Sequence, residues 1–169
     1  LAWVNYYPNG EYRIMRGYIS RGMQYTYESI SIPTDIEIHG LAYDNYTSAL
    51  YFIATDDSGM WLGRVGKNRE IEHVTEGAYI TISDLRARDG VLYFGSIASG
   101  RDEIHCYDIA SGKEYQLTSS RHGSFDAAPT ANGEIVLTTY DSMGYHPTAQ
   151  RVDKLWREVE HSTLPKNIL

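Results

Sequence analysis

A chain of 169 residues with 42% hydrophobic and 22% charged content has the composition of a folded globular protein, which excludes disorder as its main state. The net charge of −7, with Lys and Arg scattered and forming no basic stripe, excludes a nucleic-acid partner, which needs clustered cations against phosphate. Cys106 is the sole cysteine, so there is no intrachain disulfide or thiolate metal cluster, and no apolar run nears the ~18–20 residues that cross a bilayer.

The chain opens on Leu1 inside a strand over residues 1–7, so a preceding segment is expected to have been removed, and any targeting signal with it. Pro8-Asn9-Gly10 then marks a hairpin, followed by a strand over 12–17. The same order returns further on. Asp44-Asn45-Tyr46-Thr47-Ser48 is a longer polar loop before the strand over 50–54. Arg88-Asp89-Gly90 precedes a strand over 92–97, and Ala131-Asn132-Gly133 one over 135–140. Asn-Gly and Asp-Gly between strand-like runs are hairpin signals, because type I′ turns need positive φ at both central residues. The apolar triplets Leu50-Tyr51-Phe52, Leu92-Tyr93-Phe94 and Ile135-Val136-Leu137 recur with a period of about 43 residues. Third strands are expected over 60–65, 103–109 and 147–152, and fourth strands over 70–75, 114–118 and 156–160. Val74-Thr75 and Leu117-Thr118 close two of the repeats in step. In the first repeat Ile32-Pro33-Thr34-Asp35 truncates the fourth strand.

Four strands per unit at a period of ~40–45 residues is the signature of a propeller blade. The second strands carry apolar residues on both faces, with Leu92 and Phe94 on one and Tyr93 and Ile97 on the other, so both faces need cover; a simple sandwich would leave one polar. The expected fold is therefore all-β: a β-propeller segment of about four four-stranded antiparallel blades, near 1–37, 38–80, 81–123 and 124–165. Open blade ends leave apolar faces and edges bare, so the segment is expected to belong to a ring of six to eight blades. For the same reason residues 1–37 and the tail beyond Glu160 are expected to pack on something outside the chain or to be mobile.

The run from Glu103-Ile104-His105-Cys106-Tyr107-Asp108 through Ser111-Gly112-Lys113 to Leu117-Thr118, with the preceding Asp89-Gly90-Val91-Leu92-Tyr93-Phe94, resembles the TolB-type, WD-repeat-like propeller repeat. The likeness is good over 81–138, fair over 38–80 and weak over 1–37. It implies a fold first. It also implies an exported protein, in the periplasm or at the cell surface of a Gram-negative-type bacterium.

Catalytic signatures are missing: there is no Gly-x-Ser-x-Gly elbow, no His-Glu-x-x-His helix, no phosphate loop and no calcium loop. Six histidines (His39, His73, His105, His122, His146, His161) show no ligand-like spacing and read as surface or packing residues, as do Trp3, Trp61 and Trp156. Asp56-Asp57-Ser58-Gly59 reads as a turn. No cofactor and no metal are expected. The segments leading into the inner strands are the candidate binding patch, with His39, Ser83, His122 and Asp126 as its polar residues. A binding or scaffolding role follows, with a protein, peptide or glycan ligand, and with the remaining blades of the full-length protein as neighbours. The alternative is the accessory propeller of an enzyme, gating a peptidase or holding a lyase site.

Overall fold

The computed structural model describes residues 1–19, 25–152, 157–160 and 164–166, and its regular structure there is β-strand in four antiparallel sheets. The first sheet joins β1 (Ala2–Tyr6), β2 (Tyr12–Ile19) and β3 (Tyr25–Ser31). The second runs in order through β4 (Glu37–Asp44), β5 (Ala49–Asp56), β6 (Gly59–Val65) and β7 (Ile71–His73). The third holds β8 (Ile82–Arg88), β9 (Val91–Ser96), β10 (Glu103–Asp108) and β11 (Lys113–Gln116). The fourth holds β12 (Ser124–Pro129), β13 (Glu134–Asp141) and β14 (Gly144–Arg151). Among the described residues no helix is long and apolar enough to cross a membrane.

The period-2 alternation of strand side chains sorts the apolar residues into three layers between successive sheets. On β5, Leu50, Phe52 and Ala54 join Ile14 and Ile30 of the first sheet, while Tyr51 and Ile53 join Leu85, Leu92 and Phe94 of the third. On β9, Tyr93 faces the third layer, where it packs with Cys106, Ile135 and Leu137. Central strands apolar on both faces thus lie between two neighbours, the cover that the sequence requires. Trp61 is fully buried, meeting Phe52 edge-on and stacking on His73 at 3.6 Å. It is a packing residue, as expected. Gly63 sits beside it because any Cβ there would lie 2.3 Å from the Phe52 ring.

The hairpins form where the turn residues place them, with one correction of type. Asp89 and Gly90 have φ of 52° and 82°, the two positive values of a type I′ turn. At the Pro8-Asn9-Gly10 and Ala131-Asn132-Gly133 turns only the glycine is left-handed, and Tyr7 N–H and Thr130 N–H donate to Glu11 and Glu134 carbonyls. These are three-residue loops ending in a left-handed glycine.

The strand count departs from four per sheet. The first sheet has three strands, as the Ile32-Pro33 break predicts, and so has the fourth among the described residues. The strand expected over 156–160 does form, as β15 (Arg157–Glu158), but it pairs with β11 and becomes a fifth strand of the third sheet. Beyond it Leu164 is buried between the second and third sheets, and Tyr79 N–H donates to the Pro165 carbonyl at 2.9 Å. For residues 164–166 the expectation that the tail packs outside the chain or is mobile is corrected. An open β11 edge and an apolar seam lie within its reach, and burying both is favourable. Trp156, at the start of the expected strand, and His161 lie outside the described residues.

Candidate functional site

The first strands of the second, third and fourth sheets share one irregularity. β4 is bulged between Ile38 and Gly40, β8 between Ser83 and Arg86, and β12 between Phe125 and Ala128. A bulge puts two residues opposite one, bends the strand and re-aims its side chains. At two of these bends Asp84 and Asp126 are left-handed, with φ of 54° and 55°. Aspartate tolerates that region better than most residues because its short side chain bonds locally.

His39 stands in the first bulge, exposed, with its Nε2 2.8 Å from Thr55 Oγ1. Ser83 is half-buried against Gly95, whose missing Cβ leaves room for the Ser83 hydroxyl. Asp126 is exposed in the third bulge. His122 is exposed just before β12 and meets Tyr140 edge-on at 6.3 Å, beside Tyr145 and Phe125.

A groove of about 740 Å³ opens on the second and third sheets, where the β5–β6 hairpin meets the connection into β8. Met60, Ala78, Ile80, Ile97 and Pro165 make it largely apolar, with Asp56, Asp57, Thr55 and Thr81 among its polar groups. Its walls are fixed locally. Met60 and Ala78 exchange backbone hydrogen bonds of 2.9 and 3.1 Å, and the Tyr79 hydroxyl donates to the Asp57 carbonyl. Gly59 is required for this approach: its φ is +100°, and a Cβ would lie 2.3 Å from the Ala78 carbonyl oxygen. Asp56 accepts from the Ser58 N–H at 2.7 Å and the Trp61 ring N–H at 2.9 Å. Burial pushes its carboxyl upward, but the Ser58 and Trp61 hydrogen bonds outweigh this and hold it below the ordinary value.

None of His39, Ser83, His122 and Asp126 lines this groove, although His39 is tied to its Thr55 wall. Thr81, two residues before Ser83, does line it. Tyr79, Met60 and Pro165 carried no sequence signal of their own; a connection folded back on a hairpin is a tertiary arrangement. Among the described residues no group of three or more His, Cys, Asp or Glu is placed to hold a metal ion.

No family model matches the sequence, and no curated protein does. Among solved structures, the chain is similar to TolB from Acinetobacter baumannii, with a TM-score of 0.69 at 19% identity over 93% of this chain. The chain spans 39% of that protein's length. The likeness establishes the fold: a TolB-like, all-β succession of antiparallel sheets.

Proposed function

We propose that this chain is a non-catalytic recognition or scaffolding segment of a β-propeller in an exported protein, its four sheets being blades near 1–37, 38–80, 81–123 and 124–151, with the strand at 157–158 added to the third. The observation that carries the reading is the apolar groove between the second and third sheets. It is held open by backbone hydrogen bonds and by a glycine that admits no side chain, on the side where the inner strands begin. A rigid scaffold presenting loops around a concave surface suits binding of a protein or peptide segment, or of a glycan. Apolar walls with carboxylates at Asp56 and Asp57 favour a peptide with an apolar side chain beside a basic one.

The bare outer faces of the first and last sheets support membership of a larger ring of six to eight blades. The TolB resemblance supports a periplasmic or cell-surface setting. The test is a peptide and glycan array probed with the purified chain, repeated with Met60→Ala and Tyr79→Phe. Captured peptides that share an apolar–basic pair, with affinity lost in Met60→Ala, are the expected result. Equal capture by both variants, or turnover of any captured ligand, overturns it.

A further inference from the structure

One rim of the apolar groove is the chain's own tail. Pro165 lines the groove, and its carbonyl accepts from Tyr79 N–H at 2.9 Å, as the main chain of a docked peptide does. Leu164, just before it, is 7% exposed and joins Ala78 and Ile80 in the apolar layer between the second and third sheets. Lys166, just after it, donates to the Glu76 carboxylate at 2.8 Å and to the Gly77 carbonyl at 3.4 Å. Three consecutive residues thus meet an apolar seat, a backbone donor and a carboxylate. The connection into β8, from Glu76 to Ile80, contributes to all three.

The tail is lightly held. β15 makes two register pairs with β11, and both of its residues are exposed. The Lys113–Glu158 and Lys166–Glu76 ion pairs lie at the surface, where such pairs contribute little. Only Val159 and Leu164 among the described tail residues join the apolar layer. Segments with few buried contacts open locally before the whole fold does. One repeat period after Glu114 and Tyr115 of β11 stand Arg157 and Glu158, at the fourth-strand position of the fourth sheet. The β14 edge of that sheet is unpaired among the described residues, so the strand has a second edge to join on leaving β11. An incoming peptide also gains more than the tail does. The groove of about 740 Å³ runs on past Pro165 to Met60, Ile80 and Ile97.

We propose that the groove takes an apolar–proline–basic segment of a partner protein, and that the chain's own Leu164-Pro165-Lys166, which carries this pattern, holds the site until such a segment displaces it. This rests on the reading of the groove as a peptide site. A tethered tail competes at high effective concentration, so releasing it raises the apparent affinity for a free peptide. The test follows the fluorescence anisotropy of a labelled Thr-Leu-Pro-Lys-Asn peptide during titration with the full chain and with its Leu164→Asp variant. Binding at least about tenfold tighter to the variant is expected. Circular dichroism and slow amide exchange in β9 check that the variant is folded. Lys166→Glu, an exposed change, releases the tail less and is expected to give about threefold. A peptide with its leucine replaced by aspartate is expected to bind at least about tenfold more weakly. Equal binding to the parent and both variants overturns the proposal, as does binding that ignores the peptide's leucine. So does a parent chain that sediments as a dimer which the peptide dissolves, because the seat then belongs to a second copy's tail. If the released groove takes apolar–basic peptides from the array but not this one, the proposal fails and the peptide-site reading stands. If it takes none, both fail.

Discussion

Asp44 shows how a single buried carboxylate joins two repeats. It is fully buried, accepts from the Thr47 N–H and hydroxyl at 2.8 Å each, and accepts from Gly90 N–H of the next hairpin at 3.2 Å. Burial works to raise its pKa, but the Thr47 and Gly90 hydrogen bonds prevail and hold it below the ordinary value. A carboxyl lowered by folding contributes stability that is complete above its unfolded value of about 3.9 and is lost as pH falls through the lower folded value. Asp44→Ala should therefore cost about 1–3 kcal/mol at neutral pH, through the donors left unpaired. It should also flatten the acid limb of a stability–pH curve measured by urea unfolding. Cys106 behaves oppositely. It is fully buried, and burial, with the Glu114 and Asp108 charges, pushes its thiol up to about 12. Thiolate is the reactive form, so a thiol reagent at pH 8 should label the native chain only at the rate of opening, and the urea-unfolded chain at once. Fast labelling of the native chain would contradict its burial.

At the scale of the strand, the paired Val74-Thr75 and Leu117-Thr118 have one physical role. The Thr75 hydroxyl accepts from Leu62 N–H at 3.0 Å, and the Thr118 hydroxyl accepts from Ile104 N–H at 2.8 Å. Each satisfies a buried donor of the third strand where the fourth strand turns away, which gives the recurrence its cause. The sites differ in one respect. Thr118 also donates to the buried Glu103 carboxylate, which further accepts from Ser120 N–H at 2.7 Å. Thr75→Val should cost about 1 kcal/mol, and Thr118→Val about 2–3 kcal/mol because a charged acceptor loses a donor as well. Thermal unfolding of the two variants side by side distinguishes them. Equal losses would mean that Glu103 finds another partner. The recurrence was legible in the sequence; the carboxylate behind it was not, because Glu103 reads as an ordinary strand-edge residue.

Across the whole molecule, burial falls from the middle sheets outward. The second and third sheets carry an apolar layer on each face, the first and fourth on one. On the fourth sheet Val136 is 41% exposed and Tyr145 69%; on the first, Tyr27 is 71% exposed. An apolar face of this kind marks a surface that another element covers. Amide exchange in the isolated chain should be slowest in β5 and β9 and faster in β2 and β14, because each sheet's protection depends on its neighbours. Uniform protection across all four sheets would show that the bare faces cover one another. Val136→Glu should reduce any self-association seen in sedimentation while leaving β9 exchange unchanged.

Turn chemistry and period were written locally, and they sufficed to set the number of repeats, the hairpins at Gly10, Gly90 and Gly133, and the two-sided packing of Leu50 to Phe52 and of Leu92 to Phe94. These features depend on residues within a few positions of one another, or on an alternation that any strand obeys. His39, Ser83, His122 and Asp126 were chosen by the same local logic, as residues near the start of inner strands. Whether they share a cavity depends on the bulges and on the folding back of the Ala78–Tyr79 connection, which repeat logic does not contain. The tail is the clearest case. Residues 157 and 158 read as a strand and are one, but a strand's sequence does not name its partner. The open β11 edge and the seam that receives Leu164 exist only once the second and third sheets have packed.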